Sequence, residues 1–134
     1  MIKILVVDDD EALTEALEII LSDEGYCVHV MHAGEQVDGQ LKDIRPDMII
    51  LDYRLPGEDG ASVARRIKTD KTTCNIPILM ISASNSVEKT ARANGVNEFL
   101  PKPFSVDRLL EVIKETTNPK WYSQNRGRSG EAFF

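Results

Sequence analysis

The chain begins with a short apolar run and then changes to a helical spacing of its hydrophobic residues. Residues 2–7 are almost continuously apolar and rich in β-branched side chains, which is typical of a strand covered on both faces. From Glu11 to Glu24 the apolar side chains recur three and four residues apart, and Gly25 follows as a stop signal. The N-terminus is therefore predicted to form a strand followed by a helix.

The same alternation of strand and helix patterns continues along most of the chain. Further strands are predicted at residues 26–31, 47–52, 78–81 and 97–100. Further helices are predicted at residues 34–44 and 61–69, from a cap at Ser84 or Asn85 through Ala93, and after a cap at Ser105. Five strand–helix units predict an α/β fold, with a doubly wound, five-stranded parallel sheet and helices on both faces.

Composition and charge limit the classes of protein to which the chain could belong. It has 134 residues, 42% hydrophobic and 28% charged, which favours one ordinary folded domain. Its net charge of −6 disfavours direct nucleic acid binding. The first residues contain no apolar stretch long enough for a signal peptide or a membrane span, so a cytoplasmic protein without a membrane segment is predicted.

The cysteines and histidines show no ligand spacing. Cys27 and Cys74 are isolated and are interpreted as free thiols. His29 and His32, near the end of the second strand, are interpreted as surface residues without a role.

The last residues differ in composition from the rest. Residues 118–134 are basic and rich in aromatic side chains, and Pro119 marks a break at their start. One folded domain is therefore predicted over residues 1–117, followed by a tail. The tail is interpreted as a linker or an appended remnant, with a docking segment as the alternative.

Side chains that could bind ligands or take part in a reaction lie at the ends of the predicted strands. The first strand runs into an acidic triplet, residues 8–10, and the third ends in Asp52. The fourth strand ends in Ser82, and Lys102 follows the fifth. Because ligands of open parallel sheets bind beyond the carboxyl ends of the strands, we expect these side chains to form one site.

The acidic residues favour a magnesium site. A dinucleotide site would have glycines in the first loop, where this chain has carboxylates. Asp8 and Asp9 placed against Asp52 would repel one another without a cation, and hard oxygen ligands suit Mg²⁺. Acidic residues also favour the first turn of a helix, which explains Asp10 and Glu11 but not an aspartate at the end of an apolar strand.

Four short elements at these strand ends resemble the response-regulator receiver domain of two-component signalling. They are Val7-Asp8-Asp9-Asp10, the Asp52…Pro56…Asp59-Gly60 stretch, Ser82-Ala83 and Lys102-Pro103-Phe104. The resemblance covers residues 1–117 with the elements in the expected order. It implies the flavodoxin-like receiver fold and a phosphoacceptor signalling domain, with self-catalysed phosphoryl transfer and autodephosphorylation as its only chemistry.

The resemblance also implies a role for each site residue. Asp52 would attack the phosphoryl group of a phosphohistidine, carried by a histidine kinase or a histidine phosphotransfer protein, and form an acyl phosphate. Asp9 and Asp52 would bind Mg²⁺ directly, and Asp8 mostly through water. The Arg54 backbone carbonyl would add a ligand, and Lys102 would bind a phosphoryl oxygen.

A switch is implied next to this site. Ser82 would move to bond the phosphoryl group, coupled to Phe99 on the fifth strand, although a strand-end hydroxyl and a packed core aromatic are the alternatives. The fourth helix, fifth strand and fifth helix would then change for a homodimer or an output partner. The Lys102–Pro103 bond is expected to be cis, as in the family.

Two other functions are weighed against this one. A phosphatase of the haloacid-dehalogenase type has its nucleophile in a similar acidic motif after the first strand. Here Glu11 and Ala12 follow where that motif favours Thr or Val, and the chain is too short for a cap domain. A receiver-like module that binds partners without phosphorylation is disfavoured because the acids, Ser82 and Lys102 are all present.

Overall fold

Strands and helices alternate along residues 1–118, the part of the chain that the computed structural model describes. The strands are β1 (Lys3–Val7), β2 (Cys27–Met31), β3 (Met48–Asp52), β4 (Ile78–Ser82) and β5 (Glu98–Pro101). The helices are α1 (Glu11–Asp23), α2 (Gly34–Ile44), α3 (Gly60–Thr69), α4 (Glu88–Ala93) and α5 (Val106–Thr117). The predicted elements are confirmed to within a few residues at their ends.

The five strands form one parallel sheet in the order β2-β1-β3-β4-β5. The chain passes from β1 outward to β2, and then returns to place β3 on the other side of β1. The direction of winding therefore reverses between β1 and β3, which is where ligands of open α/β sheets bind. The predicted doubly wound α/β fold is confirmed.

The central strands are buried on both faces, which explains their continuous apolar runs. Leu5, Ile49 and Met80 point to the face on which α2 and α3 pack, where Val37 and Ile67 join the same core cluster. Side chains alternate along a strand, so their neighbours point to the opposite face and are buried as well. A strand enclosed in this way can carry polar groups only at its ends.

Polar side chains mark the start of three helices. The Asp10 carboxylate accepts a hydrogen bond from the Leu13 backbone N–H at 3.1 Å at the start of α1. Asp59 begins α3 and Ser105 begins α5 in the same way. Each bond satisfies a backbone donor that the helix itself leaves unpaired.

The fourth helix differs from its prediction. The sequence predicts one helix that is capped by Ser84 or Asn85 and continues through Ala93. The structure has a single 3-10 turn at Asn85–Val87, and α4 occupies only Glu88–Ala93. Ser84 makes no capping bond, and its hydroxyl instead pairs with that of Ser86 at 2.7 Å. A tighter first turn replaces the predicted cap.

The described backbone divides into two compact units, residues 1–103 and residues 104–118. The first unit contains the sheet and α1 to α4. In the second, residues 104–118 contain α5, whose apolar stripe is Leu109, Val112 and Ile113. The predicted tail lies outside the described residues from 119 onward, so the boundary at residue 117 stays a prediction. Within residues 1–118, no helix has the length and apolar character needed to cross a membrane.

Candidate functional site

The ends of four neighbouring strands bring the predicted side chains to one edge of the sheet. Asp8 follows β1, Asp52 is the last residue of β3 and Ser82 is the last residue of β4. Lys102 follows β5, whose Pro101 is in register with Ser82. The parallel pairing thus places residues 94 positions apart in sequence, Asp8 and Lys102, in direct contact.

Asp8 is completely buried and its carboxylate has two partners. One oxygen accepts a hydrogen bond from the Asp10 backbone N–H at 2.9 Å. The other lies 3.1 Å from the Lys102 Nζ. A buried carboxylate needs such partners because its desolvation is otherwise costly.

Three carboxylates converge beside this pair. Oxygen atoms of Asp8, Asp9 and Asp52 all lie within 4.8 Å of one another. Asp8 and Asp52 are buried, whereas Asp9 is exposed and faces solvent from the same edge. Asp10, the third member of the acidic triplet, is used as the helix cap of α1. The cluster offers hard oxygen donors of the kind that Mg²⁺ prefers.

Lys102 partly neutralises the two buried acids. Its Nζ lies 3.1 Å from Asp8 and 3.3 Å from Asp52. Burial disfavours the ammonium charge, but the combined attraction of Asp52 and Asp8 outweighs it and raises the pKa of Lys102. The ammonium is therefore positively charged at neutral pH.

Asp52 is left with an excess of negative charge around it. Burial raises its pKa most, the Asp8 carboxylate raises it further, and Lys102 only partly opposes them, so the pKa is about 6. A neighbouring cation stabilises the ionised form of a carboxyl group whose pKa is raised in this way. The electrostatics of the site thus favour binding of a positive ion.

Backbone contacts between residues 53–54 and 59–60 hold the loop that follows Asp52. Arg54 and Asp59 form an antiparallel bridge, and the Gly60 N–H donates to the Tyr53 carbonyl at 2.6 Å. A Cβ atom at Gly60 would collide with the Asp52 backbone carbonyl. Glycine is thus required for α3 to begin so close to the end of β3.

Replacing Gly60 with alanine is expected to lower the free energy of unfolding by about 1–3 kcal/mol, because the added methyl group must displace the backbone at Asp52. Gly39→Ala is the matched control. Gly39 lies inside α2 with nothing within 4 Å of an added Cβ, so its replacement should stabilise the protein slightly. Urea unfolding measures both variants. Equal effects of the two substitutions would contradict the close approach at Gly60.

The predicted switch residues lie where the sequence placed them. Ser82 is buried, and its hydroxyl accepts a hydrogen bond from the Ser84 N–H at 3.1 Å. Phe99 is half-buried, stands opposite Met80 in the sheet and packs against the core. Both residues thus have the ordinary structural roles that were considered for them. Their part in a switch stays a prediction.

His32 is a neighbour of the site that sequence analysis missed. It was interpreted as a surface residue, but its ring is half-buried and its Nδ1 lies 3.0 Å from the Asp8 backbone carbonyl. Nothing in the local pattern signals this contact, because it joins residues 24 positions apart, each of which directly follows one of two neighbouring strands. The interpretation of His32 as a surface residue was therefore wrong.

Two further predictions agree with the structure. The Lys102–Pro103 bond is cis. Cys27 and Cys74 are both free and half-buried.

The family model described as the response regulator receiver domain matches residues 4–114. The chain belongs to the response regulator receiver domain family. Receiver domains are signalling domains of two-component response regulators, and the Asp8, Asp9 and Asp52 pocket of this one fits a phosphoacceptor site.

One curated relative is response regulator MprA of Mycobacterium bovis. It is 40% identical over 115 residues, which cover 84% of this receiver domain and 49% of MprA. The chain thus spans about half the length of the curated relatives it matches.

Solved structures show the same fold. The chemotaxis response regulator CheY4 of Vibrio cholerae has a TM-score of 0.81 and 27% identity, with 87% of this chain and 98% of that chain covered. The receiver domain of sensor histidine kinase PA1611 from Pseudomonas aeruginosa has a TM-score of 0.78 and 28% identity, with 86% and 96% covered. The PA1611 structure has a magnesium ion coordinated in its active site cleft.

Proposed function

We propose that Asp52 accepts a phosphoryl group from a phosphohistidine of a histidine kinase or a histidine phosphotransfer protein, in a reaction that depends on Mg²⁺. The observation that carries this proposal is the position of the Asp52 carboxylate. It is buried at the end of the central strand β3, 3.3 Å from the Lys102 ammonium and within 4.8 Å of two other acids. An acidic nucleophile beside a cation and a metal site suits phosphoryl transfer.

The residues of the site fit a magnesium ion. Asp9 and Asp52 would bind it directly, Asp8 through water, and the Arg54 backbone carbonyl would complete the protein ligands. The three carboxylates lie close together, and Lys102 only partly neutralises them. The magnesium ion in the PA1611 receiver domain supports magnesium binding at the corresponding cleft here. When bound, the ion supplies positive charge that offsets the repulsion between the carboxylates and the phosphoryl oxygens.

Two side chains of this chain, Asp52 and Lys102, take part in the phosphoryl transfer. An Asp52 oxygen forms a bond to phosphorus while the bond from phosphorus to the donor imidazole nitrogen breaks, and the electron pair leaves with the imidazole. The product is an acyl phosphate on Asp52. Lys102 lies close enough to Asp52 to turn from the carboxylates toward a phosphoryl oxygen. Hydrolysis of the acyl phosphate by water would return the domain to its starting state.

The consequence of phosphorylation would be a change of binding surface. Ser82 ends the strand beside β3 and could bond the phosphoryl group, with Phe99 responding on β5. We propose that α4, β5 and α5 carry this change to an output partner or to a second copy of the domain. The receiver would then comprise residues 1–117, with 118–134 as its tail.

A direct test uses the whole chain, Mg²⁺ and acetyl phosphate, a small phosphodonor. The expected result is the mass gain of one phosphoryl group, seen by intact-mass measurement and removed by excess chelator during the incubation. Borohydride reduction of the acyl phosphate followed by peptide mapping should place the modification on Asp52. Modification of another residue, or none at saturating Mg²⁺ and donor, would overturn the proposal. Steady release of product from an unrelated phosphoester would instead favour a phosphatase.

A further inference from the structure

The Asp8 backbone is held by the strand β2 and the residue that follows it. Asp8 lies one residue beyond β1, and its N–H donates to the Met31 carbonyl at 3.0 Å. Its own carbonyl lies 3.0 Å from the His32 Nδ1. Met31 and His32 thus bind the two backbone groups of the same aspartate.

The hydrogen bond fixes the imidazole as a donor. A backbone carbonyl can only accept, so the His32 Nδ1 carries the hydrogen. The His32 backbone is itself anchored, because its N–H donates to the Gln36 side-chain oxygen at 2.9 Å. The Gln36 oxygen also lies 3.3 Å from the Ala33 N–H at the start of α2. The imidazole therefore contacts Asp8 from a backbone that is hydrogen-bonded to Gln36 at the start of α2.

The position of the Asp8 carboxylate follows from that of its backbone. Its two oxygens must meet the Asp10 N–H at 2.9 Å and the Lys102 Nζ at 3.1 Å at the same time. A small rotation of the Asp8 peptide would move the carboxylate away from one of these partners. The same rotation would alter its distance to Asp9 and Asp52.

We propose that His32 is a positioning residue for the acidic cluster. Its imidazole holds the Asp8 peptide in the orientation that keeps the three carboxylates convergent for a metal ion. The positioning role of His32 rests on one part of the proposed function, namely that this cluster binds the Mg²⁺ needed for phosphorylation of Asp52.

The test compares His32→Asn with His32→Leu in the whole chain. Asparagine and leucine have the same shape, but only asparagine keeps an N–H donor near the position of Nδ1. Removal of a hydrogen bond that orients a metal site typically weakens metal binding by about tenfold or more. Magnesium titration followed by amide NMR shifts should therefore show about tenfold weaker binding for His32→Leu and near-wild-type binding for His32→Asn.

Two further measurements separate this role from a general effect on the fold. In the metal-free protein, the amide signals of Asp9 and Asp10 should move in His32→Leu and stay in place in His32→Asn. His29→Leu is the matched control, because His29 contacts Cys27 and not the acidic cluster. That variant should bind Mg²⁺ as the wild type does.

The outcomes distinguish the two proposals. Wild-type affinity in His32→Leu, or equal loss in the leucine and asparagine variants, would overturn the positioning role. If the wild type binds Mg²⁺ but acetyl phosphate does not modify Asp52, the proposed function fails while the positioning role is still measured through the metal. Should the leucine variant not fold, a weakened affinity in a folded His32→Ala together with a normal one in His32→Asn would support the role, and equal affinities would overturn it.

Discussion

Replacing Asp52 with asparagine should abolish phosphoryl incorporation from acetyl phosphate and Mg²⁺. The amide has nearly the same size as the carboxylate, so the buried site at the end of β3 is preserved. A neutral amide is not a nucleophile, and the substitution also removes one of the three charges that converge on the metal site. Intact-mass measurement after incubation should show unmodified protein only.

Asp10→Asn is the matched control for this experiment. Asp10 is exposed and caps α1 by accepting a hydrogen bond from the Leu13 N–H, and asparagine caps helices equally well. Phosphorylation of that variant should proceed to the wild-type extent. Full acid-labile incorporation in Asp52→Asn, or its loss in Asp10→Asn, would contradict the assignment of Asp52.

The same Asp52→Asn substitution should stabilise the metal-free protein above about pH 6. The pKa of Asp52 is about 6 in the folded protein and 3.8 as its ordinary value, because burial and Asp8 oppose its ionisation. The folded state therefore holds the proton more tightly than the unfolded state, and ionisation costs folding free energy. One pKa unit corresponds to about 1.4 kcal/mol, so the gain in unfolding free energy is up to about 3 kcal/mol.

The sign of this effect sets its pH window. Above the folded-state pKa of about 6, both states are ionised and the full penalty is present in the wild type. As the pH falls from about 6 to 3.8, the folded state takes up its proton first and the penalty is relieved. The difference between the wild type and Asp52→Asn should therefore be largest above this window and vanish below it.

Urea unfolding in a chelating buffer at several pH values measures this difference directly. Added Mg²⁺ should narrow it, because metal binding to the folded wild type stabilises that protein by mass action. Equal unfolding free energies of the two proteins across the whole pH range would show that ionisation of Asp52 does not destabilise the folded state. A wider difference in the presence of Mg²⁺ would contradict binding at this cluster.

Much of the site could be predicted because parallel strands end at one edge of a sheet. Continuous apolar runs identify buried strands, and a polar residue directly after such a run must lie at that edge. Asp8, Asp52, Ser82 and Lys102 were placed together on this reasoning alone. Within the acidic triplet, the pattern separated Asp10, which suits the first turn of a helix, from Asp8 at the end of the apolar strand, but it did not show the orientation of Asp9. In the structure Asp8 is buried, Asp9 faces solvent and Asp10 caps a helix.

Capping side chains predicted the start of a helix less well where the first turn is not α-helical. Ser84 and Asn85 have the side chains of a helix cap, yet the chain first makes a 3-10 turn and the α-helix begins at Glu88. Ser105 caps α5 as predicted, and Asp59 caps α3 in the same way. The difference arises because a cap competes with other hydrogen bonds of the same side chain, such as that of Ser84 to Ser86.

The sequence by itself determined the order of strands and helices, the α/β class and the set of residues at the carboxyl edge, since these follow from periodicity and chain direction. Only the tertiary structure decided that Lys102 lies between Asp8 and Asp52, and that His32 binds the Asp8 carbonyl. Those contacts join residues far apart in the chain. They depend on the order of the strands within the sheet and on side-chain rotamers, which the local pattern of hydrophobic and polar residues does not encode.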